Sequence, residues 1–264
     1  MAAGLHDFGK VGVREKVLVK GRKLYDYELE RIMTRLEMAK LAKERDVLAR
    51  KLEIFKMNSQ ASRPAVEELD NELKDEISRL EEAGLAILKA NEPTVLAEGD
   101  FSKLQRLTSE TIRHCSGEIP LLLPEEAVRL SVRKGTLTVD ERRQIESHVT
   151  HTYAFLKEIP WTGELREVPA IAFAHHEKLN GEGYPRGLQG KDIPIQARMM
   201  TVADIFDALS AADRPYKKAL PVERALAILE SEAKNGLLDP ALVKLFIEAR
   251  IYERTLSMRN VGWT

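Results

Sequence analysis

Only one cysteine, Cys115, stands among the 264 residues. That excludes an internal disulfide and any metal site built from several thiolates, and it favours a cytoplasmic setting. Glycine and proline are sparse, at 15 and 11 residues, and alternating strand patterns are nearly absent, so the expected fold class is all-α. No apolar run approaches the roughly 20 residues of a membrane helix, and no signal-peptide pattern is present, so no membrane partner is expected. The 41 basic and 42 acidic residues leave a net charge of -1. Such a molecule attracts neither a nucleic-acid polymer nor an acidic membrane as a whole. An anionic substrate then requires local positive charge or metal ions.

What is present is mostly helical pattern. The apolar share is 44% and the charged share 31%, which suits one large domain or two small ones with a solvated surface. From Tyr25 to Phe55, Leu29, Ile32, Leu36, Leu48, Leu52 and Phe55 recur at mostly helical spacing. Asn58 to Pro64 breaks that pattern, with Ser62 and Pro64 as start signals for a second helix. There Val66, Leu69, Leu73, Ile77 and Leu80 are spaced three and four apart, like a coiled-coil seam. Residues 25–92 therefore read as an antiparallel helical hairpin, or equally as two amphipathic helices packed on a main domain. Residues 93–134 read as several short helices joined by turns.

The pattern sharpens from Gly135. Thr138-Val139-Asp140-Glu141 resembles a capping box, opening a helix that carries Ile145, His148, Val149 and Leu156. Val168 to Ala174 forms an apolar helical stretch ending at two adjacent histidines. Ile195 to Leu209 forms a second one carrying Asp204, and 222–233 and 240–252 read as closing helices. Lys20-Gly21-Arg22-Lys23-Leu24 is echoed by Lys134-Gly135-Thr136-Leu137-Thr138, as expected if a long insertion separates them.

Chemistry concentrates in the run His175-His176-Glu177-Lys178-Leu179-Asn180-Gly181-Glu182-Gly183-Tyr184-Pro185. Imidazole and carboxylate ligands suit zinc, iron, manganese and nickel. Neighbouring helical residues diverge by about 100°, so His175 and His176 at a helix end can reach two different ions. His6, Asp7, His148 and Asp204 complete a plausible metal set. Either Asp7 or Asp204 could bridge two ions, the usual device in two-metal phosphate-ester hydrolysis. An aspartate inside an apolar helix, as at Asp204, must be paired or bind a cation. Asp207, one turn later, is either a second supporting group or a cap partner. His114 and His151 read as ordinary surface or capping residues.

Five segments occur in order: His6-Asp7-Phe8-Gly9-Lys10, His175-His176-Glu177-Lys178, Gly183-Tyr184-Pro185, residues 202–209, and Arg214-Pro215-Tyr216-Lys217. In these the chain resembles the HD-GYP family of the HD superfamily of metal-dependent phosphohydrolases. The resemblance implies an HD-type helical bundle with two or three divalent ions, iron or manganese. It also implies hydrolysis of the bacterial second messenger cyclic di-GMP to pGpG or GMP. It makes His6, Asp7, His148, His175, His176 and Asp204 the metal ligands, with Asp7 bridging, and sets Lys10 beside the scissile phosphate. Tyr184 would shape the substrate pocket on a loop that also docks a protein partner. Arg214 and Lys217 would contact phosphate or guanine.

The family pattern covers residues 1–24 and 135–264, read as the catalytic domain, with 25–134 as a helical insertion. Its first helix, which bears a further histidine, is expected to be missing here. A homodimer through the hairpin is also expected. Two alternatives are an HD-type hydrolase of another nucleotide and a catalytically impaired module that binds a cyclic dinucleotide or a partner.

Overall fold

A computed structural model describes residues 1–57, 62–93, 98–114, 117–211 and 219–254. The chain divides into two compact units, one of Met1–Val19 with Val139–Thr264 and one of Lys20–Thr138. Helices α1 (Ala2–Leu5) and α2 (Glu15–Leu18) open the first unit, around a 3-10 turn at Phe8–Gly12. The second unit holds α3 (Asp26–Met57), α4 (Ser62–Asn91), α5 (Glu98–Leu107), strands β1 (Thr111–His114) and β2 (Gly117–Pro120), and α6 (Pro124–Leu130). The first unit then resumes with α7 (Val139–Leu156), α8 (Val168–Phe173), α9 (Ile195–Ser210), α10 (Val222–Lys234) and α11 (Pro240–Glu248). The all-α class holds, with helices dominating and two four-residue strands besides.

In the second unit α3 and α4 run antiparallel. Lys40 faces Glu81, Lys43 faces Glu76 and Arg50 faces Glu72. Exposed ion pairs like these contribute little each; the apolar seam between the helices does more. Ile32, Leu36 and Ala39 pack against Leu80 and Ile87 in one buried cluster that Leu104, Leu122 and Leu130 complete. Gly84 faces Met33 and Leu36, where a Cβ would find ordinary van der Waals contact at 3.4 and 3.5 Å. The sequence pattern put Leu48, Leu52 and Phe55 on the same face, but all three are exposed while Val47 is buried. A two-helix hairpin covers one face only, and the distal part of α3 turns Val47 toward it.

The short elements after α4 depart from the expected run of helices. β1 and β2 form an antiparallel hairpin with Ile112 opposite Ile119. Strands of four residues are too short to show a legible alternation. A second departure is at the end of α11, which stops at Glu248 rather than continuing to Tyr252. Two residues beyond, Arg250 takes a positive φ of 50°.

In the first unit, α7 packs on the 3-10 turn, on α2 and on α8, while α8 also meets α1 and α9. Phe206, Leu229, Val243 and Phe246 form the apolar contact among α9, α10 and α11. α11 starts at Pro240 with Asp239 as its cap, its side chain accepting from the amides of Ala241 and Leu242. This frame brings the end of α1, the middle of α7, the end of α8 and the middle of α9 to one place. None of the helices among the described residues is long and apolar enough to cross a membrane.

Candidate metal centre

His6 caps the C-terminal end of α1, His148 lies on α7, His175 follows α8, and Asp204 lies on α9. Three of these imidazoles are oriented in the same way. Nδ1 of His6 lies 2.7 Å from the Ala3 carbonyl, that of His148 2.5 Å from Ile145, and that of His175 2.6 Å from Ala172. A carbonyl only accepts, so each Nδ1 carries a proton, and in the neutral ring each Nε2 keeps its lone pair. The local helical geometry, three residues back in every case, thus sets tautomer and direction together. The fourth ring, His176, lies 4.0 Å from His175 and 5.2 Å from His148 between centroids.

Asp7 sits among them with its two oxygens divided. Oδ1 is 3.3 Å from His148 Nε2, and Oδ2 is 3.3 Å from His6 Nε2 and 2.6 Å from Lys10 Nζ. Asp204 Oδ1 is 3.7 Å from His6 Nε2. Among the described residues, His148, His175 and His176 form one group with metal-ligand spacing, and His6, Asp7 and His175 form another. His6 Nε2, Asp7 Oδ1, His148 Nε2 and His175 Nε2 are all buried and make no hydrogen bond to any protein group. Buried polar atoms are otherwise almost always paired. A convergent set of unpaired nitrogen and oxygen lone pairs is what a divalent transition metal requires, so these residues fit such an ion.

The electrostatics match. Burial pushes the His175 imidazole down to about 4, and the charge of His6 adds to the effect. His176 is lowered for the same reasons, burial first and His175 second. Both are neutral at physiological pH, the state that ligates. At His6 burial works against the charged form, but Asp204 and Asp7 outweigh it and hold its proton up to about 10. Burial works against the charged form of Asp7 as well, but the nearby His148, His6 and Lys10 outweigh it and keep the carboxyl well below the usual carboxylate range. Asp204 is lowered likewise by His6, against its own burial. A divalent cation held by these residues would take the place of the His6 proton.

Several supports lie outside the predicted set. The Thr152 hydroxyl donates to the His6 carbonyl at 2.9 Å and accepts from the Gly9 amide at 2.8 Å. Thr201 Oγ1 lies 2.6 Å from the His175 carbonyl, tying α9 to the histidine pair. Glu177, immediately after that pair, is 2% exposed and accepts from the amides of Arg186 and Leu188, each at 2.8 Å. The Tyr184 amide donates to the His176 carbonyl at 3.2 Å, and the Tyr184 ring centroid lies 4.8 Å from that of His176. Burial raises the Tyr184 hydroxyl above its ordinary pKa. The two hydroxyl supports leave no spacing signal in sequence, because each acts on the backbone of a distant segment. Glu177 stands inside the quoted motif yet carries no role from spacing alone.

Of the residues expected at the site, His6, Asp7, Lys10, His148, His175, His176, Tyr184 and Asp204 come together. Asp207 is exposed. His151 packs over Gly12, where a Cβ would lie 2.9 Å from its Nδ1. Arg214, Lys217 and Cys115 lie outside the described residues.

A helical bundle that gathers imidazoles and carboxylates from four segments defines the class as a helical protein with a candidate divalent-metal site. The chain belongs to the HD-domain family, in its HD-GYP form: the HD domain pattern matches residues 99–242. That stretch contains His148, His175, His176 and Asp204, while His6 and Asp7 join the cluster through the fold. The chain is 43% identical over 108 residues to the 3'3'-cGAMP-specific phosphodiesterase 3 of Vibrio cholerae, covering 41% of this chain and 22% of that protein. It is 40% identical over 120 residues to the cyclic di-GMP phosphodiesterase response regulator RpfG of Xanthomonas campestris, covering 45% and 31%. With the cyclic di-GMP phosphodiesterase of Thermotoga maritima it shares 36% over 121 residues, covering 46% and 32%. The matched part thus spans about a fifth to a third of these relatives' length.

Proposed function

We propose that this chain is a metal-dependent phosphodiesterase that opens cyclic dinucleotides, with cyclic di-GMP as substrate and pGpG or GMP as product. The observation that carries this is the convergence of four buried, unpaired lone-pair atoms from His6, Asp7, His148 and His175. His6, Asp7 and Asp204 would hold one divalent ion, and His148, His175 and His176 a second, with Asp7 shared through its two oxygens. Iron and manganese both suit these donors. A pair of such ions, when bound, supplies an acidified water as nucleophile and positive charge for the phosphate.

The chain's own groups do the rest. His175 and His176 stay neutral and keep their lone pairs available. Lys10, 2.6 Å from Asp7 Oδ2, carries positive charge at the edge of the cluster, where an anionic phosphate meets it. Tyr184 remains protonated and offers a hydroxyl donor beside His176. Arg214 and Lys217 are read as phosphate or guanine contacts. With this reading go a cytoplasmic setting, a helical insertion at 25–134, a homodimer through α3 and α4, and a protein partner at the Gly-Tyr-Pro loop.

A second substrate, 3'3'-cGAMP, is favoured by the 43% identity to a phosphodiesterase named for it. Both readings are tested by loading the purified protein with manganese or ferrous iron and supplying each cyclic dinucleotide separately and in competition. Chromatography should show linear dinucleotide or mononucleotide. Absence of turnover with both substrates overturns the proposal.

A further inference from the structure

The functional reading gives the Tyr184 loop a part in substrate binding but leaves unexplained what holds it, and the inference here rests on that reading. We propose that Glu177 is the positioning residue for Tyr184, and that despite following the histidine pair directly it is not a metal ligand.

The geometry is specific. Glu177 Oε1 accepts from the Arg186 amide and Oε2 from the Leu188 amide, both at 2.8 Å, and the side chain is almost fully buried. Both oxygens are therefore spent on the returning arm of the loop. On the outgoing arm, Gly183 lies directly on the backbone of Glu177: a Cβ at 183 would overlap the Lys178 amide and come within 2.6 Å of the Glu177 carbonyl carbon. Between these anchors the Tyr184 amide bonds to the His176 carbonyl. The loop closes further through the Gly190 amide on the Leu179 carbonyl at 3.0 Å. The ring of Tyr184 is thus held beside His176 by the close approach of Gly183 before it and by amide bonds after it, two of which Glu177 accepts. A carboxylate is the one side chain of this length that offers a separate acceptor oxygen to each of two amides. Glutamine supplies a single acceptor oxygen and turns its NH2 toward the second amide.

The test is Glu177→Gln, with Glu177→Asp as the second variant, in the full chain. Amide hydrogen exchange across 183–190 should accelerate about tenfold, as for a buried bond lost. Manganese affinity should stay within about threefold of wild type, since Glu177 bonds to loop amides and orients no ligand side chain. KM for cyclic di-GMP should rise about tenfold with kcat within about threefold, the pattern of lost uniform binding. A tenfold fall in manganese affinity with unchanged exchange would make Glu177 a ligand and overturn the proposal. Faster exchange with unchanged KM would overturn it too, leaving a loop brace without influence on Tyr184. If Glu177→Gln does not fold, the same readouts on Glu177→Asp decide. If the wild-type protein turns over neither cyclic dinucleotide, the functional reading fails, while exchange, manganese affinity and the Kd for cyclic di-GMP still judge Glu177.

Discussion

Gly9 lies directly against the carbonyl of His148, so that a Cβ on residue 9 would overlap that oxygen and come within 2.6 Å of the Thr152 amide. The turn carrying His6 and Asp7 can approach α7 only because residue 9 has no side chain. Substituting Gly9→Ala should push the turn away from α7 and part Asp7 from His148. The expected cost is about 1–3 kcal/mol of stability, as for other overpacked sites, together with loss of metal binding. Thermal unfolding and metal analysis of the purified variant check both parts.

Asp7 divides its oxygens between His148 and His6. If it bridges two ions, Asp7→Asn should weaken both, whereas His176→Ala should spare the ion held by His6, Asp7 and Asp204. Manganese stoichiometry by elemental analysis should read near zero for the first variant and near one for the second. Equal losses in the two variants would contradict the shared carboxylate.

Thr152 is fully buried and its hydroxyl joins the Gly9 amide to the His6 carbonyl. Thr152→Val keeps the volume and leaves both backbone groups without that partner. Unpaired buried groups of this kind cost about 1–3 kcal/mol. Chemical denaturation should show the loss, and the metal affinity should fall with it because His6 is no longer held.

Lys23 in the second unit is buried with its Nζ 3.4 Å from the Leu130 carbonyl, and burial lowers its pKa from 10.5. A lysine with a depressed folded-state pKa destabilises the fold wherever the unfolded chain holds the proton more tightly. That penalty is complete at neutral pH and is relieved as the pH rises through the folded pKa toward 10.5. Lys23→Met should therefore raise the unfolding midpoint at pH 7, with the gain shrinking toward pH 10. Paired thermal melts across that range test the sign, and a gain that grows with pH would refute it.

Much of this was legible before any coordinates. Sparse glycine and proline, together with the three-and-four spacing from Val66 to Leu80, announce helices, and α4 follows that seam. The His-Asp pair, the histidine doublet and Asp204 announce a metal set because few other arrangements combine those donors. Less legible was the outer part of α3: Leu48, Leu52 and Phe55 share the helical period with the core but are exposed, since periodicity reports a face and not what covers it. The β1–β2 hairpin escaped notice because each strand has four residues and carries a single isoleucine, Ile112 facing Ile119, so no alternation shows.

The amino-acid sequence by itself determined the helical class, the donor types and the order of the motifs, because these depend on residue identity and local spacing. Only the tertiary structure decided which oxygen of Asp7 faces His148, that the Nε2 atoms of His6, His148 and His175 converge on one place, and that Glu177 accepts from the amides of Arg186 and Leu188. Those outcomes depend on contacts between segments more than a hundred residues apart, or on the path of a folded loop, and no local pattern encodes either.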